Sequence, residues 1–324
     1  MRRILAGLSV TAVLLTAAAC GSGSGSGSDN TAADKAGGTV TLNVGLVPIV
    51  DVAPIYLGKE KGFFDKQGIK LNLSTAQGGA AIVPGVVSGQ FQFGFSNVTS
   101  LMVAQDKNVP VKGVAEGNNS TGKDGADFGG IAVSKDSPIT SAKDLEGKTV
   151  AVNTLKNIGD TTVRESVRKA GGDPSKVKFV EMDFAQMPAA LTKHQVDAAW
   201  VVEPALASVK ASGGRVVASN FVDVSPDLTV ALYFTSTSYA AQHPAEVKKF
   251  QTALSESLAY ATAHPDEVRK VVSTYTQIPA SLLSQVILPS WPAEPDKASL
   301  ETLGKLGQQD GLISSAPDLS KLLP

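Results

Sequence analysis

Cysteine occurs once in this chain of 324 residues, at Cys20, which excludes a disulfide framework and any zinc site built on thiolates. Histidine is nearly as scarce. His194, His243 and His264 are the full set, and no two stand at metal-ligand spacing. Two of them directly precede Pro244 and Pro265, positions typical of solvated helix boundaries. The nearest approach to a nucleophile elbow, Gly94-Phe95-Ser96-Asn97-Val98, lacks its closing glycine. An enzyme is therefore not expected, and neither is a cofactor or a metal. Only four arginines follow residue 19, namely Arg164, Arg168, Arg215 and Arg269, and the formal net charge is −1, so nucleic acid is excluded as a partner. No apolar run beyond Leu15 is long enough to span a bilayer, and no repeat of fixed period is present.

The first residues have a definite pattern. Arg2 and Arg3 precede an apolar run from Ile4 to Leu15, then Ala17-Ala18-Ala19 and Cys20. A positive start, a short apolar stretch and small residues before the cut describe a secretion signal over 1–19, too short for a spanning helix. The site resembles a bacterial lipobox with Cys20 as the acylated new N-terminus, although Ala17 stands where such sites usually carry Leu. Alternating Gly and Ser from Gly21 to Ser28, then a polar stretch to Gly38, offer too little apolar surface to order the chain. Residues 20–38 thus read as a lipidated tether with an r.m.s. reach of roughly 25 Å. The expected location is extracytoplasmic, lipid-anchored to the outer face of the cell membrane, or on its periplasmic side if an outer membrane exists. Without the signal, 27 basic residues face 30 acidic ones, a net charge of −3.

From Thr39 onward, short alternating strands interleave with helical stretches. Val40, Leu42, Val44 and Leu46 alternate with polar residues, Pro54 opens a helix that Gly62 stops, and Ile69, Leu71 and Leu73 alternate again. A helix over about 80–88, a strand carrying Phe91, Phe93 and Phe95 and a helix near 99–106 follow, which predicts a parallel α/β sheet. After Gly129 to Ser134 the order restarts with strands near 149–152, 177–181, 196–202, 215–217 and 229–235. The last third predicts helices over 238–262, 265–276, 280–288 and 296–309, punctuated by prolines.

The segments Gly45-Leu46-Val47-Pro48, Ala53 to Phe64, Gly68-Ile69, Gly89 to Gly94, Asp144 to Val152, Val196 to Pro204 and Gly213 to Val217 occur in order. Together they resemble the solute-binding proteins of ABC importers for sulfonates, taurine, nitrate and thiamine-precursor pyrimidines, over roughly residues 39–276. Gln92 departs from the family's frequent Asp. The resemblance implies a type II periplasmic-binding-protein fold: two α/β lobes, a hinge and a ligand cleft between the lobes. It also implies 39–127 plus 240–324 as lobe 1 and 128–239 as lobe 2. The implied partners are a small-molecule ligand and an ABC permease with its cytoplasmic ATPase; the protein is read as a monomer. A sensor or adhesion module on the same fold is the alternative class.

Cleft chemistry on such a fold comes from turns after strands, where helix N-termini offer free N–H groups. The candidate ligand contacts are Asp51, Gln77, Gly78, Ser96, Asn97, Asn153, Thr154, Asp160 and Glu203. Asp51, Ser96, Asn97 and Asp160 are equally capping types, and Gln77-Gly78-Gly79 is equally a plain turn. Glu203 ends an apolar run, so it needs either a ligand or an internal partner. Trp200, three residues earlier, reads as core or as a stacking face. No arginine falls in a cleft turn; only Lys156 could meet an anion there. Asp51 and Glu203 could hold an amine, so an amino-sulfonate or an amine-bearing ring fits better than nitrate.

Overall fold

The computed structural model describes residues 38–323, so the signal segment, Cys20 and the tether up to residue 37 lie outside the described residues. No helix among the described residues is long and apolar enough to cross a membrane. Among the described residues, ten strands form two sheets. The first contains β1 (Val40–Leu46), β2 (Ile69–Thr75), β3 (Phe93–Asn97), β4 (Val111–Asn119) and β10 (Thr229–Ser236) in the order β2-β1-β3-β10-β4. The second contains β5 (Gly129–Val133), β6 (Thr149–Val152), β7 (Lys178–Glu181), β8 (Ala198–Val202) and β9 (Arg215–Ala218) in the order β7-β6-β8-β5-β9.

Each sheet is built by one scheme. β1 pairs in parallel with β2 and β3, and β6 in parallel with β7 and β8. Into each comes one strand delivered directly from the other sheet, β5 after β4 and β10 after β9. That strand runs antiparallel to both neighbours. The expected parallel sheet is therefore mixed. Local periodicity reports that a strand exists but not its partner, and two further expectations fail for this reason. Thr229–Ser236, placed with the second lobe, is hydrogen-bonded inside the first sheet. Gly129–Ser134, read as the break where the order restarts, contains β5 in the second sheet. β4 was not foreseen at all.

Alternation in β1 buries Leu42, Val44 and Leu46 completely, and Pro54 sits in the first turn of helix Ala53–Glu60, where its missing N–H is harmless. Gly62, at φ 75°, occupies the left-handed region that reverses the chain before Phe63 and Phe64. The long C-terminal helix expected over 238–262 breaks at His243, because Pro244 starts a new helix, Pro244–Ala263. That helix anchors on the first sheet through Phe250, stacked on Phe93 with centroids 3.9 Å apart. The stretch expected as a helix over 280–288 is a 3-10 turn, Ala280–Gln285. Helix Lys297–Gln309 bridges the two halves, touching helix Val98–Asp106 on one side and helix Ile158–Lys169 on the other.

Two chain crossings, at 120–128 and 219–228, join the sheets. They are tied to each other by Ser120 N donating to Leu228 O (2.9 Å) and Gly125 N to Ser219 Oγ (2.8 Å). Buried Asp127 shapes the first crossing, accepting from Ser120 Oγ (2.6 Å), Thr121 N and Phe128 N.

Candidate functional site

Between the sheets lies a cavity of about 30 Å³, room for one or two water molecules. Its walls come from the C-terminal ends of β1, β3, β6 and β8 and from the start of β10, which its antiparallel course brings to the same end. Four aromatic rings contribute: Phe95 from β3, Trp200 from β8, and Phe184 and Phe221 from segments following β7 and β9. Phe184 and Phe221 meet Trp200 edge-on at 5.3 and 5.9 Å. The polar side chains lining it are Asp51, Asn97 and Asn153, and no lysine or arginine is among the lining residues. A volume this small leaves no room for an organic solute beside Asp51 in this arrangement of the lobes.

Asp51 sits in the 3-10 turn Val50–Val52. It caps nothing: the following helix has Val52 at its N-cap and no side-chain capping bond. The turn is held instead by its backbone, with Trp291 Nε1 donating to Asp51 O (3.3 Å) and Tyr275 OH to Ile49 O (3.0 Å). Asp51 is 2% exposed, and burial pushes its carboxyl up to about 7. The Asn118 side chain opposes that shift without reaching hydrogen-bond geometry. Three polar atoms on the cavity wall are buried and unpartnered: Asp51 Oδ1, Asn153 Oδ1 and Trp200 Nε1. Behind Asp51, the Asn118 amide and the Tyr233 hydroxyl are unpartnered too, and burial, followed by the charges of Tyr56 and Asp51, drives the Tyr233 hydroxyl well above the usual range. Each unmet buried group costs roughly 1–3 kcal/mol, so a solute able to satisfy several of them gains from more than its own apolar area.

The candidate residues fall into three groups. Asp51, Asn97 and Asn153 line the cavity, together with Gly79; Asn97 also caps helix Val98–Asp106 by accepting from Ser100 N (2.9 Å). Gln77, Gly78 and Thr154 instead close the lobes on each other. Gln77 Nε2 donates to Asn153 O (3.1 Å) and Asn153 Nδ2 to Gln77 O (3.3 Å), while a Cβ on Gly78 would lie 2.7 Å from Thr154 Oγ1. Ser100 and Asn157, which sequence reasoning did not single out, add a buried tie in which Asn157 Nδ2 donates to Ser100 Oγ (2.9 Å).

Ser96, Asp160 and Glu203 lie outside the cavity lining. Ser96 is fully buried under Gly79 and donates to Asn97 O (3.0 Å). Asp160 accepts from Lys156 N (3.0 Å) in the first turn of helix Ile158–Lys169, and burial raises its carboxyl to about 6. Glu203, for which ligand contact, an internal ion pair and open solvent were the alternatives, is fully buried and has no ion-pair partner among the described residues. Its Oε2 accepts from Ala207 N (3.0 Å) and its Oε1 from Ile287 N (3.3 Å), while its carbonyl accepts from Val50 N (3.0 Å). It is a clasp at the junction of the halves, and burial raises its carboxyl to about 7.

Trp200, read as core or as a stacking face, is a wall residue, and the alternation that places Phe95 beside Asn97 could have flagged that ring as well. Phe184 and Phe221 carry no such signal, since they arrive from outside the strands.

A family model described as NMT1/THI5 like matches residues 49–268. A Brachyspira hyodysenteriae protein provisionally named an ABC transporter periplasmic binding protein is 27% identical over 67% of this chain, a match spanning 62% of its own length. The taurine-binding periplasmic protein of Escherichia coli is 25% identical over 64% of this chain and 63% of its own. Among solved structures, the periplasmic aliphatic sulphonate binding protein SsuA of Escherichia coli superimposes with a TM-score of 0.72 at 17% identity, covering 88% of this chain and 92% of that one.

Proposed function

Since the chain belongs to the NMT1/THI5-like family, we propose that it is the extracytoplasmic solute-binding component of an ABC importer, capturing a small polar organic solute between its lobes and handing it to a permease. Asp51 carries the choice of solute. A buried carboxyl in a cavity wall without lysine or arginine repels a bare anion and rewards a ligand that brings an ammonium or N–H donor. An amino-sulfonate of the taurine type meets this requirement, with its anionic end at the uncapped N-terminus of helix Gly79–Val87. Four rings around the cavity favour a second reading, an aminopyrimidine held flat between aromatic faces.

Isothermal titration with taurine, butanesulfonate, nitrate and an aminopyrimidine separates these. The amine-bearing solutes bind tightest under this reading; a preference for nitrate overturns it. Acylation of Cys20, ahead of the Gly/Ser-rich segment 21–38, would hold a monomeric captor at the membrane. Cys20→Ser then moves the protein from the membrane fraction to the soluble one, and unchanged fractionation would remove the anchor from the account.

A further inference from the structure

A second depression, of about 720 Å³, lies on the first sheet and shares no lining residue with the cleft. Its floor includes Glu116 on the edge strand β4. One wall is a run of small residues on helix Pro244–Ala263, Thr252, Ser255 and Ala259, and the other is the loop bearing Trp291 and Glu294. The size suits a small organic molecule.

Glu116 is 2% exposed, and neither of its carboxyl oxygens has a hydrogen-bond partner. Burial pushes its carboxyl up to about 8, with the Glu294 charge adding to the shift; the Gly117 amide opposes it from outside hydrogen-bond geometry. Lys248 is the one cationic residue of the lining, and no ion pair joins it to either acid. A buried carboxyl beside a second acid, left without a cation, keeps its proton up to about pH 8, and a bound organic cation would neutralise the ionised form in the proton's place.

We propose that this groove is a second ligand site, independent of the cleft, which takes a small organic cation with a primary or quaternary ammonium head: Glu116 is its counter-ion, Glu294 a second carboxylate at the rim, and the Trp291 indole a face for the charge. Two adjacent carboxyls disfavour an anionic ligand. No group of three or more acidic, histidine or cysteine side chains arranged for a metal ion occurs among the described residues, which disfavours a metal. An indole beside carboxylates is the chemistry that holds an ammonium.

The test titrates the purified full-length chain with benzylammonium and tetramethylammonium, with benzyl alcohol as the neutral control, following heat and Trp fluorescence. At least one cation should saturate at millimolar concentration while the alcohol does not. Glu116→Gln should weaken that binding about tenfold or more, the loss of one charge-assisted contact. Ser255→Phe, which fills the groove from an exposed helix position, should abolish it without lowering the melting temperature. Asp51→Asn should leave it intact, which separates this site from the cleft. Absence of saturation by both cations, or equal binding by the alcohol, overturns the proposal, as does retention in both groove variants. Loss in Asp51→Asn alone assigns the binding to the cleft and overturns it as well.

Discussion

Replacing Asp51 by Asn should remove a pH dependence of stability whose size follows from burial. The carboxyl titrates near 3.8 when exposed and at about 7 in the fold, because burial penalises the ionised form. Between those values the native state holds a proton that the unfolded chain has released. Stability from this group is therefore complete below about pH 4 and is lost as pH climbs through about 7. At about 1.36 kcal/mol per pKa unit, the full swing is about 4 kcal/mol. Asn matches the neutral acid in shape and never ionises, so the variant should equal the parent near pH 4 and exceed it at pH 8. Urea unfolding followed by Trp fluorescence at pH 5, 6, 7 and 8 measures this. The difference between the two proteins should widen by about 1 kcal/mol per unit from pH 5 to 7. Glu116, Glu203 and Asp160 are also raised by burial, but they contribute alike to both proteins and cancel. Binding of taurine should show the opposite slope, strengthening as pH rises through 7 because the ammonium needs the ionised carboxylate, and it should be lost in Asp51→Asn. Parallel stability curves for variant and parent would refute the assignment of a buried, titrating carboxyl to the cleft.

Gly78→Ala tests lobe closure by sterics alone. Its backbone is extended, so alanine adds no local strain, but the new Cβ would lie 2.7 Å from Thr154 Oγ1. Titration calorimetry should show affinity reduced about tenfold with little change in melting temperature, and unchanged affinity would mean closure tolerates a wider gap. Glu203→Gln turns an amide N–H₂ toward one of two backbone donors, Ala207 N or Ile287 N. It should lower stability by about 1–3 kcal/mol at pH 8 while leaving the rank order of solutes intact; a changed rank order would return Glu203 to the ligand shell. Arg168→Ala removes the partner of Asp310, a pair joining helix Ile158–Lys169 to the end of helix Lys297–Gln309. Because Asp310 would be left part-buried and without its partner, a cost of about 1–3 kcal/mol is expected in chemical denaturation, and a neutral result would show that the pair only decorates the junction.

Sequence alone determined most of what is local. Alternation located β1 and β2, an apolar run located β8, and Pro54 and Gly62 marked where the first helix starts and stops, because each of these signals lives within a few residues; the order of family-like segments implied the two-lobed fold. It also brought Asp51, Asn97 and Asn153 forward as cleft candidates, since turns after strands are where such folds bind. What it could not give was decided by pairing over long distances. Whether Thr229–Ser236 belongs to the first or the second sheet depends on hydrogen bonds to strands more than a hundred residues away, and nothing in its own alternation records them. The same limit holds for Glu203, whose apolar neighbourhood demanded a partner but could not reveal that the partners are the amides of Ala207 and Ile287. Phe184 and Phe221 reach the cavity only because the strand ends of the two sheets are brought together around it. Tertiary structure alone distinguished Asp51, buried and uncommitted, from capping residues of the same chemical type, because burial and hydrogen-bond satisfaction are properties of the assembled fold.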